Sequence, residues 1–188
     1  MAVVTKVHED IAEVVITEEL LQARVRQLGK EISRDYEGKP LLLVAILKGA
    51  AVFLADLIRA IDVPVDYDFV AVSSYGKGTQ SPGVVEFKKD LDSDVAGRHV
   101  LIVEDIVDTG WTLRLSYIRE KMLARDAASV RVCALLDKPS RRQVDVDVDY
   151  CGFVIEDRFV VGYGLDWAGD YRNLPYIGVL KPEVRGEA

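Results

Sequence analysis

Leu41 to Leu47 is apolar without alternation, and so are Val100 to Val103 and most of Ser129 to Leu136. Continuous apolar runs of this length predict strands covered on both faces, as in a parallel sheet. Between these runs the period changes. Leu21, Val25, Leu28 and Ile32 recur at helical spacing behind Thr17, Glu18 and Glu19, which predicts a capped amphipathic helix to about Tyr36, stopped by Gly38 and Pro40. Gly49 to Ala60 predicts a second helix. Trp111 to about Ala124 predicts a third, with Leu113, Tyr117 and Met122 among its apolar positions. Further strands are predicted at Val65 to Val72, led in by Pro64, and at Val84 to about Lys88; shorter ones follow Pro139 at Asp149 to Ile155, Phe159 to Tyr163 and Tyr176 to Leu180. Strands alternating with helices predict an α/β domain on a parallel sheet, and 188 residues, 49% hydrophobic, suit one core and one domain over residues 1–188.

Some stretches stand outside this pattern. Ser73 to Gly83 (SSYGKGTQSPG) is polar and rich in Gly and Ser, which predicts a mobile loop able to serve as a lid. Val144 to Asp149 alternates Val with Asp; evenly alternating acids do not converge, so a half-exposed strand or solvated loop is favoured over a cation site. Leu41 to Ile58 is the longest apolar region, but Lys48 and Asp56 interrupt it, which argues against a membrane span. His8, Glu9, Asp10 and Glu13 stand where a secretory signal would need an apolar core.

Charge narrows the partners. With 24 basic and 31 acidic residues the net charge is −7, which disfavours nonspecific binding to nucleic acid or anionic membrane. An anionic small molecule would need a local, built site. Cys133 lies in an apolar run, where a buried thiol is expected, and Cys151 is the other cysteine; both fit a reduced, cytoplasmic protein. His8 and His99 match no metal spacing.

The chemistry concentrates in Val100 to Thr112, VLIVEDIVDTGWT. An apolar strand is followed by Glu104 and Asp105, expected at its carboxyl end, where open α/β sheets put their ligands. Asp108, Thr109, Gly110 and Thr112 then form the turn into the next helix, whose free N–H groups and dipole suit an anion. Gly110 would let backbone approach a phosphate. Helix capping alone needs a single acid or hydroxyl. Three carboxylates crowd Glu104 to Asp108 without a basic residue, and they repel unless a cation or polyol shares them.

These residues, with others along most of the chain, resemble the type I phosphoribosyltransferases, specifically the bacterial purine branch that uses hypoxanthine and guanine. The family's phosphoribosyl-pyrophosphate motif is an apolar tetrad, two acids, two apolar residues and then D-T-G, and Val100 to Gly110 matches it. The purine-specific matches are Leu47-Lys48-Gly49, Ser74-Tyr75-Gly76, Lys138, and Phe159 to Asp166 (FVVGYGLD) followed by Arg172. The resemblance implies a mainly parallel sheet flanked by helices, a small hood built from the terminal segments and a flexible active-site loop. It implies Mg²⁺-dependent transfer of phosphoribose from 5-phosphoribosyl 1-pyrophosphate to N9 of hypoxanthine or guanine, giving IMP or GMP and pyrophosphate.

The resemblance also implies roles. Glu104 and Asp105 would accept from the ribose hydroxyls and help organise Mg²⁺. Asp108 would be the general base for purine N7, and Asp108, Thr109, Gly110, Trp111 and Thr112 would hold the 5'-phosphate, Trp111 through its main chain. Lys48, Gly49 and Arg172 would bind pyrophosphate, with a Lys48–Gly49 peptide that can be cis in the family. Lys138 would donate to the purine O6, Phe159 would stack on the base, and the Val160 main chain would read its exocyclic edge. Asp166 would hold a second Mg²⁺, unless it and Arg172 are merely a surface ion pair. Ser74 and Tyr75 would close over the reacting centre and exclude water. A homodimer or homotetramer is expected on the same ground. Two alternatives remain: an RNA-binding regulator on the same fold, disfavoured by the charge and by Asp108 and Lys138, and a transferase for xanthine or another base.

Overall fold

The computed structural model describes residues 6–75, 84–108, 112–141 and 147–186. Strand β1 (Ile11–Ile16) leads into helix α1 (Glu18–Asp35), which opens as predicted: the Thr17 Oγ1 accepts from the Leu20 N–H at 3.4 Å, and Glu18 and Glu19 complement the helix dipole. Its buried face is Leu21, Val25, Leu28 and Ile32. Strand β2 (Leu41–Ile46) is buried along its whole length and feeds helix α2 (Ala50–Ala60). Gly29 of α1 meets the end of α2 so closely that a Cβ there would lie 2.2 Å from the Ala60 carbonyl oxygen.

Strands β3 (Val65–Tyr75) and β4 (Val84–Lys89) follow, then β5 (His99–Val107), helix α3 (Thr112–Leu123), β6 (Ser129–Asp137) and β7 (Tyr150–Val154). These strands form a six-stranded sheet in the order β4-β3-β2-β5-β6-β7, parallel except for the β3–β4 pair. Because successive side chains alternate across a strand, one sheet carries two cores. Leu43, Ala45, Leu101, Val103, Cys133 and Leu135 face α1 and α2, whereas Leu42, Val44, Val100, Ile102, Val132 and Ala134 face Leu115, Ile118 and Met122 of α3. Strands β8 (Val160–Val161) and β9 (Ile177–Leu180) join β1 in a second, antiparallel sheet ordered β1-β9-β8, so segments from both ends of the chain build the expected hood.

Several boundaries differ from the sequence pattern. Ser73, Ser74 and Tyr75, expected in the lid loop, continue β3, because the antiparallel ladder to β4 extends to Tyr75↔Val84. The rest of that loop, 76–83, lies outside the described residues, as do 144–146 of the Val-Asp alternation. Strand β8 is shorter than Phe159 to Tyr163 because Gly162, at φ 100°, turns the chain out of extended conformation. No helix among the described residues is long and apolar enough to cross a membrane.

Candidate active site

The strand order reverses between β2 and β5: the chain builds outward through β3 and β4, then returns to build through β6 and β7 on the other side. Such a switch point opens a crevice at the carboxyl ends of the two central strands. Glu104 and Asp105 were expected beyond the end of the strand, but β5 runs on to Val107. The ladders explain the difference. Pairing of β5 with β6 continues to Val107↔Asp137, whereas the β2–β5 register ends at Ala45↔Val103. The acids are therefore in strand conformation on one side and project past the end of β2 on the other.

The chain leaving β2 fills that position. Gly49 comes so near Asp105 that a Cβ on it would lie 1.6 Å from Oδ2. From the other side the hood closes in: a Cβ on Gly164 would lie 2.1 Å from the Gly49 carbonyl oxygen. Three chain segments thus meet at one point, two of them glycines. Gly49 is buried and Lys48 exposed, and the cis peptide is Leu47–Lys48, one bond before the Lys48–Gly49 peptide expected.

Glu104 is fully buried, and among the described residues neither of its carboxylate oxygens has a hydrogen-bond partner of good geometry. Burial, reinforced by the adjacent Asp105 charge, pushes its pKa well above the ordinary carboxylate value. Asp105, 7% exposed, is raised to about 6 by the same desolvation, offset by the Ile106 N–H (2.9 Å to Oδ1) and the Arg172 charge. Two acids held this way repel each other and have a standing demand for positive charge or hydroxyl donors.

Asp108 follows β5 directly and lines two adjoining cavities. The one of about 200 Å³ is walled by Asp105, Ile106, Asp108, Lys138, Phe159, Val160, Leu165 and Asp166. The other, about 460 Å³, shares Asp108, Lys138 and Phe159 and adds Asp157, Arg158, Val179 and Arg185. Lys138 is 7% exposed; its N–H donates to the Val107 carbonyl at 3.0 Å and its Nζ to the Arg158 carbonyl at 2.6 Å. That places an ammonium on the wall beside Phe159 and excludes the solvated surface lysine that composition alone would allow. Phe159 keeps 37% of its surface exposed, with Trp167 edge-on at 5.2 Å between centroids and the Arg185 guanidinium 5.5 Å from its ring centre.

Asp166 and Arg172 do form an ion pair, at 2.5 Å, but within the site. Asp166 Oδ2 accepts from the Gly169 N–H at 2.8 Å, and Arg172 Nη1 donates to the Gly164 carbonyl at 2.6 Å, so both belong to the loop that presses on Gly49. The β3 backbone places Ser74 and Tyr75 at the strand's end. Thr109, Gly110 and Trp111 lie outside the described residues, and Thr112 begins α3. Among the expected residues, Asp105, Asp108, Lys138, Phe159, Val160 and Asp166 line one cavity, Gly49 lies against Asp105, Arg172 is paired with Asp166, and Glu104 is buried in the strand next to Asp105. Sequence reasoning missed the apolar walls Ile106 and Leu165, and also Arg158, Trp167 and Arg185. Ile106 stands inside the motif and could have been named; Arg185 has no local signal, because a basic residue near a terminus reads as solvated.

Comparisons with known proteins agree with this geometry. The phosphoribosyl transferase domain model matches residues 16–167. The hypoxanthine-guanine phosphoribosyltransferase of Staphylococcus aureus is 51% identical over 177 residues, covering 94% of this chain and 98% of its own. The bifunctional protein TilS/HprT of Listeria monocytogenes is 51% identical over 180 residues, 96% of this chain, which spans 28% of that longer protein. A crystal structure of hypoxanthine phosphoribosyltransferase from S. aureus superposes with a TM-score of 0.89 at 51% identity, covering 94% of this chain and 95% of that one. A site made at the switch point of a mostly parallel sheet, a hood from the chain ends and a domain match over most of the sequence have one common explanation: the chain belongs to the phosphoribosyl transferase domain family.

Proposed function

We propose that this enzyme transfers phosphoribose from 5-phosphoribosyl 1-pyrophosphate to N9 of hypoxanthine or guanine, with Mg²⁺, giving IMP or GMP and pyrophosphate. The observation that carries the proposal is the cavity in which Asp108, Lys138, Phe159 and Asp166 converge beside the buried Glu104–Asp105 pair. A 6-oxopurine offers an acceptor at O6 and a proton at N7. Lys138, held to the wall by the Arg158 carbonyl, supplies the donor that adenine cannot use, and Asp108 accepts the N7 proton as N9 attacks. Phe159 keeps exposed surface for stacking on the base, and the Val160 carbonyl would accept from the 2-amino group of guanine. Asp108, Thr109, Gly110, Trp111 and Thr112 take the 5'-phosphate. Arg172 and the Lys48–Gly49 turn take the pyrophosphate, and Ser74 and Tyr75 bring the lid over both.

The residues fit Mg²⁺. The buried Glu104 oxygens have no hydrogen-bond partner among the described residues, and hard carboxylate oxygens suit this ion. Glu104 and Asp105 would help hold one Mg²⁺ and Asp166 a second, and when bound the metal offsets charge on the departing pyrophosphate. The chain's own contribution is alignment: holding donor and acceptor together favours in-line attack at the anomeric carbon, and closing the site excludes water.

A cytoplasmic location and an assembly of two or four copies complete the proposal. Cys133 and Cys151 are unbridged, which supports a reducing compartment, and light scattering measures the assembly. The decisive assay offers hypoxanthine, guanine, xanthine and adenine separately with 5-phosphoribosyl 1-pyrophosphate and Mg²⁺. Turnover of hypoxanthine or guanine is expected; turnover of neither refutes the proposal. Asp108→Asn should lower kcat by roughly 10²–10⁴-fold while nucleotide still binds, and an unchanged rate would remove Asp108 as the base.

A further inference from the structure

Tyr163 stands in the left-handed backbone region at φ 51°, between Gly162 at φ 100° and Gly164 at φ 104°. A residue with a Cβ does not rest there unless its surroundings hold it. Tyr163 is held from several directions. It is 4% exposed, its N–H donates to the Leu174 carbonyl at 2.8 Å, and its phenol donates to Asp56 Oδ2 on α2. Burial and the Asp56 carboxylate raise the phenol pKa, so it remains a donor at any working pH. Asp56 is itself fixed. The same Oδ2 accepts from Gln22 Nε2 of α1 at 2.9 Å, and Oδ1 pairs with Arg59 one turn along α2.

The two ends of this link carry the two halves of the site. Helix α2 begins directly after Gly49, so Asp56 rides on the rigid element that follows the pyrophosphate turn. Tyr163 immediately precedes Gly164, which lies against the Gly49 carbonyl, donates its N–H to the Arg172 carbonyl at 2.9 Å and accepts from Arg172 Nη1. Any slippage of Tyr163 would therefore shift Arg172 relative to Gly49. The geometry points to Asp56 and Tyr163 as positioning residues: their hydrogen bond sets the hood loop, residues 162–172, in register with the Gly49 turn, so that Arg172 and that turn engage the pyrophosphate end of the donor together. The inference rests on the transferase reading above and adds to it two residues that touch neither substrate.

The test compares Tyr163→Phe, which removes only the hydroxyl, with Gln22→Ala, which removes a different contact of Asp56 and leaves the phenol bonded. A hydrogen bond to a charged group is strong enough for its loss to raise KM for phosphoribosyl pyrophosphate about tenfold in Tyr163→Phe, with KM for hypoxanthine nearly unchanged. Gln22→Ala should lower Tm without altering either KM. Asp56→Asn, which keeps an acceptor for the phenol, should fall between Tyr163→Phe and the parent. An unchanged KM for the donor in Tyr163→Phe, a proportional rise in both KM values, or the same kinetic pattern in Gln22→Ala would overturn the inference. Should the parent enzyme turn over no purine, the transferase reading fails separately. Titration of inorganic pyrophosphate with Mg²⁺ by calorimetry then decides the inference, weaker binding to Tyr163→Phe than to the parent supporting it and equal binding refuting it.

Discussion

Replacing Gly49 with alanine puts one methyl group into the tightest point of the cleft. The new Cβ would lie 1.6 Å from Asp105 Oδ2 and 2.6 Å from its Cγ, where contacts below 3.0 Å essentially never occur, so the carboxylate must give way by 3.0 − 1.6 = 1.4 Å or the peptide must move. Neither has room. Asp105 Oδ1 is tied to the Ile106 N–H at 2.9 Å, and behind the peptide Gly164 is already pressed on the Gly49 carbonyl. Overpacking of this kind costs about 1–3 kcal/mol. In a protein of this size each kcal/mol lowers Tm by about 2–4 °C, so a fall of roughly 2–12 °C is expected in a thermal melt. The catalytic effect should be larger in proportion, since a displacement of about 1 Å at a reacting centre costs on the order of 10²-fold in rate. Steady-state kinetics with varied phosphoribosyl pyrophosphate measures it. A Gly49→Ala enzyme with unchanged Tm and unchanged kcat/KM would show that the three segments do not meet as described.

Three further outcomes follow from the same structure. Asp105 titrates near 6 in the folded chain and Glu104 well above its ordinary value, so the stability these groups confer is full below their unfolded pKa values, near 4, and is lost as pH rises through 6 and beyond. Without Mg²⁺, Glu104→Gln should therefore melt higher than the parent at about pH 8 by an amount that shrinks toward about pH 5, while activity falls; a lower Tm at the alkaline end would contradict the buried charge. Asp68 behaves oppositely: burial raises its pKa, but the N–H groups of Phe69, Ser93 and Asp92 outweigh that and bring it to about 2. Its stabilisation is present above the unfolded value and disappears as pH falls through about 2, so Asp68→Asn should cost about 1–3 kcal/mol in urea unfolding at neutral pH and nothing in acid below about pH 2. Arg185→Met removes the cation beside Phe159, worth about 0.5–2 kcal/mol, and should raise KM for hypoxanthine several-fold with the donor KM unaffected; equal KM values would exclude Arg185 from the base platform.

The strand-and-helix order was legible because each element announces itself locally. Thr17 caps α1, the Leu21–Ile32 stripe matches the helical repeat, and the unbroken apolar runs of β2, β5 and β6 are what burial on both faces requires. Strand ends were less legible, for a reason that β5 and β3 share. A strand continues as long as a neighbour offers it a ladder, and β6 and β4 carry these strands past the point where their own apolar or polar pattern would stop them. Hood strand β1 went unread because its pattern, with Glu13 exposed at its centre, has meaning only beside β9.

The motif in Val100 to Gly110, acids followed by D-T-G behind an apolar strand, was legible in the sequence by itself and led to the family that the comparisons show. Such information is local, since it depends on residue types at fixed spacing along one segment. The contact of Gly49 with Asp105 and Gly164, the placement of Arg185 against Phe159 and the Asp56–Tyr163 bond were decided only by the tertiary structure. Each joins residues far apart in the chain, and no periodicity encodes the distance between elements that meet only when the sheet order reverses and the hood folds back over it.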